Sequence, residues 1–255
     1  METGCRRAIL FLLFSPLFGT GFAQTETPVK VDKPLKSYSH WYFGAEYGVP
    51  FLFGDFTSFS ADKTYVGSQF GGFAGYQVNS WIGIEASART GYTRMGAKSY
   101  AGDYLMNADG MTYYTNQDFN TWKYKDVFSK VHFTNIGLQM NLNVNNFFGP
   151  NRGNRRWTVL LGPAVYAQHF STELINKADK SPLSGKKTDK WNIGIGGDVS
   201  LRYKISRAFD VQLRTGIIWV NNNKMDGIST LIKSKDHFMT SAGLSLIWKV
   251  GKKKE

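Results

Sequence analysis

Residues 81–92 read WIGIEASARTGY, in which Ile82, Ile84, Ala86, Ala88 and Tyr92 alternate with Gly83, Glu85, Ser87, Arg89 and Gly91. A two-residue period sends successive side chains to opposite faces of a β-strand, here one apolar and one polar. Deciding which face meets water decides the fold.

The same alternation recurs from His40 onward in seven further segments. Each is long enough to cross a bilayer as a tilted strand of about 9–11 residues. The first, 41–53, sets Phe43, Ala45, Tyr47, Val49 and Phe51 against Tyr42, Gly44, Glu46 and Gly48; the second runs from Tyr65 to Val78. The fourth, FSKVHFTNIGLQMNLNV, has the cleanest pattern, with Ile136, Leu138, Met140, Leu142 and Val144 opposed to Asn135, Gly137, Gln139, Asn141 and Asn143. The fifth, from Trp157 to about Phe170, contains Pro163, which forfeits one ladder hydrogen bond. The last three place Ile193 to Tyr203, Phe209 to Trp219 and Ala242 to Trp248 on their apolar faces.

The connections are sorted by length. NS, NFFGPNRGNRR and SRA alternate strictly with the stretches 54–64, 95–127, 171–190 and 221–236, of which the last three are longer than any of those turns. In a transmembrane barrel short turns are periplasmic and long loops extracellular, whereas a soluble sandwich has no reason to sort its loops by parity.

Two eight-stranded closures share this pattern. A lipocalin-like soluble barrel points its apolar face inward, and an outer-membrane barrel points it at lipid. The polar face (Glu46, Gln69, Glu85, Ser87, Arg89, Asn135, Gln139, Asp198, Arg202, Gln212, Arg214) is interspersed with glycine and almost free of lysine. A water-facing exterior is richer in Lys and Glu. Aromatics gather at both strand ends: Trp41, Tyr76, Trp81, Phe147, Phe148, Trp157, Tyr203, Phe209 and Trp248 beside the short turns, and Phe51, Phe53, Tyr65, Tyr92, Phe170, Trp191, Trp219 and Phe238 beside the long loops. Two such girdles mark the edges of a lipid band. Glu85 and Arg89 therefore face the lumen, since turning Arg89 outward at mid-bilayer costs on the order of 2–4 kcal/mol. The expected fold is all-β: a transmembrane antiparallel up-and-down β-barrel of about eight strands, with four long extracellular loops and three short periplasmic turns.

The flanks agree with export. Residues 1–23 carry Arg6 and Arg7, an apolar run from Ala8 to Phe18, and Gly21-Phe22-Ala23, the pattern of a signal peptide cleaved near Ala23. Residues 24–39 read as a flexible periplasmic leader, 40–250 as the barrel and 251–255 as a basic tail. The 255 residues hold a single cysteine, Cys5, so a disulfide-stapled module is excluded. The whole chain carries 31 basic and 19 acidic residues; without Glu2, Arg6 and Arg7 the net charge is still +11. For an exported protein that excess points to outer-membrane lipids and lipopolysaccharide phosphates rather than to nucleic acid.

These features resemble the small eight-stranded bacterial outer-membrane barrels, the superfamily of the OmpA transmembrane domain, OmpX and the Opacity proteins. GYQVNSWIGIEASARTGY and LRYKISRAFDVQLRTG look like its strand–turn–strand units, and the resemblance spans about residues 40–250. It implies a Gram-negative outer-membrane location, insertion by the barrel-insertion machinery, no cofactor and no enzymatic activity.

Chemistry then concentrates in two places. Glu46, Glu85, Arg89, Asp198, Arg202 and Arg214 face the lumen, where buried charges of opposite sign must pair. They form either a packed structural network or the lining of a narrow porin-like ion or small-solute channel. Loop 95–127, rich in Tyr, Asn, Asp and Trp, suits an extracellular ligand. Its ADG tripeptide favours a hairpin extending the third and fourth strands, which would raise the strand count to ten. His169-Phe170-Ser171 with Glu173 offers a third reading, a lipid A-modifying hydrolase, because a serine needs an adjacent base to become a nucleophile. His40, His132 and His237 are scattered, and no metal-ligand or cofactor spacing is present.

Overall fold

The computed structural model describes residues 41–98, 104–107, 109–116, 120–147, 155–183, 188–221, 225–229 and 237–250. The expected signal peptide, leader and basic tail lie outside the described residues, as do His40 and Phe148. Eight long strands are present: β1 (Trp41–Phe53), β2 (Ser68–Gln77), β3 (Ile82–Ala97), β4 (Val127–Asn143), β5 (Trp157–Asn176), β6 (Thr188–Lys204), β7 (Phe209–Val220) and β8 (His237–Val250). Each pairs antiparallel with the next, and β8 pairs with β1 from Trp41↔Val250 to Phe53↔Phe238. The ring is closed, so each long strand has a neighbour on both sides.

The local reasons are visible at the turns. Between β2 and β3 the Asn79 carboxamide oxygen accepts from the amides of Trp81 (2.8 Å) and Ile82 (2.9 Å). Between β6 and β7 the Ser206 hydroxyl accepts from the amides of Ala208 (3.2 Å) and Phe209 (3.0 Å). Asn and Ser are turn residues because a short side chain can take the place of a backbone acceptor. At Pro163 the expected gap occurs. The β4–β5 ladder runs to Gln139↔Ala164, lapses opposite Gly162 and Pro163, and resumes in the same register at Leu142↔Leu161.

Two expectations shift. β4, with 17 residues, and β5, with 20, remain paired out to Val127↔Asn176, far beyond the length a bilayer requires. The second and third long connections therefore shrink to 98–126 and 177–187. The hairpin forms, with the Gly110 amide on the Asn107 carbonyl (2.9 Å) and Asp109 accepting from the amides of Met111 (2.9 Å) and Thr112 (3.2 Å). It does not extend β3 and β4, however. Met106–Asn107 pairs with Ile228–Ser229 of the last loop, so the ring has eight long strands and two loops share a small two-stranded sheet.

Candidate functional site

The lumen has two halves of opposite chemistry. In the half nearer the short turns, Arg214 of β7 is buried at the centre. Its guanidinium lies 2.7 Å from Glu85 Oε1, 3.5 Å from Glu46 Oε2 and 3.7 Å from Asp198 Oδ2. Arg89 Nε adds a contact to Glu46 Oε1 at 3.3 Å. Glu85 Oε2 also accepts from the Tyr42 hydroxyl and from Asn141 Nδ2, both at 3.1 Å. Gln139 Nε2 bridges Asn141 Oδ1 (2.5 Å) and Asp198 Oδ1 (3.3 Å). Arg202 stands beside this group: its Nε donates to Gln212 Oε1 at 2.9 Å and its guanidinium lies 4.9 Å from the Tyr42 ring centroid. The fold thus brings Glu46, Glu85, Arg89, Asp198 and Arg214 into one ion-paired cluster and leaves Arg202 at its margin. Arg214 also stacks over Phe73, 4.8 Å from its centroid. Room for these rings comes from missing side chains, because a Cβ at Gly75 would lie 2.0 Å from Tyr42 and one at Gly44 2.2 Å from Phe73.

The half nearer the long loops is built around an apolar cluster. Leu52, Met95, Phe133, Phe170 and Met239 of the wall pack against Phe56, Leu105, Tyr114, Leu183, Met225 and Ile228 from all four long connections. The last loop enters this half with its buried residues. Met225, Asp226 and Ile228 are fully buried. The backbone of 225–227 is held from the wall by Thr172 Oγ1 on the Met225 carbonyl (2.6 Å) and Ser129 Oγ on the Asp226 carbonyl (2.9 Å), and from the second long connection by the Tyr114 hydroxyl on the Gly227 carbonyl (3.1 Å). Gly227 has φ +82°, the left-handed region that favours glycine. Asp226 Oδ2 accepts from the Phe56 amide at 3.0 Å, and burial nevertheless pushes this carboxyl up to about 6.

The outer wall is the reverse of the inner half. Ile84, Ile136, Leu138, Val165, Ile193, Ile195, Leu213, Ile217, Leu244 and Leu246 are all exposed, with Ile193 at 71%. Trp41–Tyr76, Trp81–Phe147 and Trp157–Tyr203 ring pairs border this band at the turn end, and Phe51–Phe59 and Phe53–Phe238 at the loop end. A continuous apolar exterior around a charged interior is stable only in lipid. The chain is an outer-membrane-type β-barrel.

Among solved structures this barrel is similar to neisserial surface protein A, with a TM-score of 0.46 and 13% identity over 82% of this chain and 97% of that one. A major outer membrane protein from Thermus thermophilus gives a TM-score of 0.46 and 11% identity, covering 81% and 99%. OprG from Pseudomonas aeruginosa gives 0.44 and 12%, covering 84% and 97%. No family model and no curated protein matches the sequence.

Three sequence readings need amendment at this end of the barrel. Phe170 and Tyr65 do not belong to the outer girdle: both are buried, and Phe170 points into the plug. The two-residue period already demanded this of Phe170, because His169 and Ser171 face outward on either side of it. His169 Nε2 contacts Asp189 of β6, and Ser171 lies opposite Asp189 and His132 in the strand registers. The ring's bonded partner is thus Asp189, which the linear reading overlooked in favour of Glu173. Finally, the scattered His237 meets Asp55 and Asp226, with one ligand atom of each lying within 4.8 Å of the others. No spacing in the sequence signals that group, since positions 55, 226 and 237 converge only when the last loop enters the mouth.

Proposed function

We propose that this chain is a sealed barrel of the bacterial outer membrane that acts through its outer surface, in a structural or recognition role rather than as a pore. One observation carries the reading: both halves of the lumen are occupied, the inner by the Arg214 ion-pair cluster and the outer by the loop plug. An eight-stranded barrel has an interior just wide enough for side chains to fill. The test is planar-bilayer recording on the refolded protein. Silence in the native chain, with discrete conductance steps when Arg214→Ala is combined with Met225→Ala, is the expected result. Steady conductance in the native chain would support the narrow-channel alternative instead.

The surface offered for recognition is the hairpin of loop 95–127. Tyr104, Met111 and Tyr113 are exposed on it, Met111 at 88%, and its base is anchored through Leu105 and Tyr114 in the plug. Rigid aromatic anchors on a supported hairpin give contact area at low ordering cost. Membrane lipids, with lipopolysaccharide phosphates at the extracellular rim, and the insertion machinery complete the expected partners. The hydrolase reading has a single support, the His169–Asp189 pair beside Ser171 on the lipid-facing wall. An acyl-chain loss in the lipid mass spectrum that Ser171→Ala abolishes would favour it.

A further inference from the structure

We propose that Asp55, Asp226 and His237 form a binding site for a first-row transition dication, with Zn2+ the best fit, and that the ion staples the last loop into the barrel mouth. The donors come from three separate pieces of chain: the connection after β1, the last loop and the first residue of β8. All three side chains are buried, and their ligand atoms lie within 4.8 Å of one another. His237 Nε2 and Asp226 Oδ2 are 3.7 Å apart. Ligands bound at about 2.1 Å around tetrahedral zinc are separated by about 3.4 Å, so this edge is close to the required length and the Asp55 edges need to contract by at most about 1.4 Å. One imidazole nitrogen with two carboxylate oxygens is a borderline donor set, suited to Zn2+ more than to Ca2+ or Mg2+, which prefer oxygen alone.

Charge points the same way. The two carboxylates and the imidazole lie at 0–2% exposure. Lys98, half-buried, places its ammonium 2.6 Å from the Gly54 carbonyl, next to Asp55. Two buried carboxylates favour positive charge beside them, and a bound dication supplies it. The surroundings resemble an outer coordination sphere: the Phe56 amide holds Asp226 Oδ2, and the Ile228 amide reaches Oδ1 at 3.4 Å. Gly54 is a second, independent sign. Its backbone covers the cluster so closely that a Cβ there would lie 2.7 Å from His237 Nε2 and 3.1 Å from Asp226 Oδ2. Only glycine leaves the space between those two donors clear.

The experiment is thermal unfolding of the full barrel in phospholipid vesicles, stripped with chelator and then titrated with ZnCl2. Metal retained per chain is measured in parallel. At a hundred times the dissociation constant, Zn2+ should raise the folding equilibrium about a hundredfold. One ion per chain should be retained, and Ca2+ or Mg2+ at the same concentration should do much less. Gly54→Ala keeps all three donors yet blocks the space, and it should abolish both the shift and the retained ion, as should Asp226→Asn. If Asp226→Asn fails to fold, His237→Gln serves in its place. His132→Ala and His169→Ala, on the exterior, should leave the response intact. No Zn2+ response in the native barrel overturns the proposal, as does a response that survives Gly54→Ala and vanishes with the exterior histidines. A barrel stabilised by acidification and not by Zn2+ also overturns it. Conductance plays no part in these readouts, so they stand apart from the test of the sealed lumen.

Discussion

The two halves of this lumen reach the same result, a filled interior, by opposite chemistry. The inner half is filled from the wall alone. Glu46, Glu85, Arg89, Asp198 and Arg214 all sit on long strands, and their ion pairs link β1, β3, β6 and β7. The outer half is filled from the loops, by Phe56, Leu105, Tyr114, Leu183, Met225 and Ile228. Strand residues cannot leave the lumen without breaking the ring, whereas the last loop, with the hairpin it pairs to, can withdraw while the ladders among the eight long strands stay intact. The inner half should therefore behave as part of the global fold, and the outer half as a plug with its own, smaller opening free energy.

The largest effect expected is that of Arg214→Ala. Removing the central cation leaves Glu46 paired with Arg89, and Glu85 and Asp198 held only by neutral hydrogen-bond donors such as Tyr42, Asn141 and Gln139. Breaking a buried pair in this way costs about 3–5 kcal/mol, read as a loss of global stability to urea in vesicles. Met225→Ala should cost about 2–4 kcal/mol by cavity formation, but in a different place. Hydrogen exchange should speed up at 225–229 and in the 104–116 hairpin, while the amides of β6 and β7 remain protected. Equal acceleration throughout the ring would break the distinction between wall and plug. Gly75→Ala tests how tightly the inner half is packed, because the new methyl meets the Tyr42 ring. Overpacking of this kind costs about 1–3 kcal/mol. The smallest effect belongs to Met111→Ser at the exposed hairpin tip, within about 0.5 kcal/mol of the native barrel. Any loss of cell-surface binding in that variant would therefore report recognition rather than folding.

The wall was legible in the sequence from the period alone. Ile84, Ala86 and Ala88 on one side and Glu85, Ser87 and Arg89 on the other appear in the structure with the expected alternation of exposed and buried. The charged residues of the inner half could be named from the same pattern. Their pairing could not, because Arg214 meets Glu85 across the barrel, 129 positions away, at a depth set by strand tilt and stagger. The plug was less legible still. Met225, Ile228, Leu105 and Leu183 have no periodicity to distinguish them from ordinary loop residues, and the hairpin's partner proved to be another loop.

The sequence by itself determined the course of the eight long strands, the face that meets lipid and the tight NS and SRA turns. Each of these follows from side-chain alternation and turn chemistry within a few residues. Only the tertiary structure decided which charges meet, which loops enter the mouth, and that Asp55, Asp226 and His237 converge there. Those contacts join residues far apart in the chain, and they come within reach only once β8 has closed on β1.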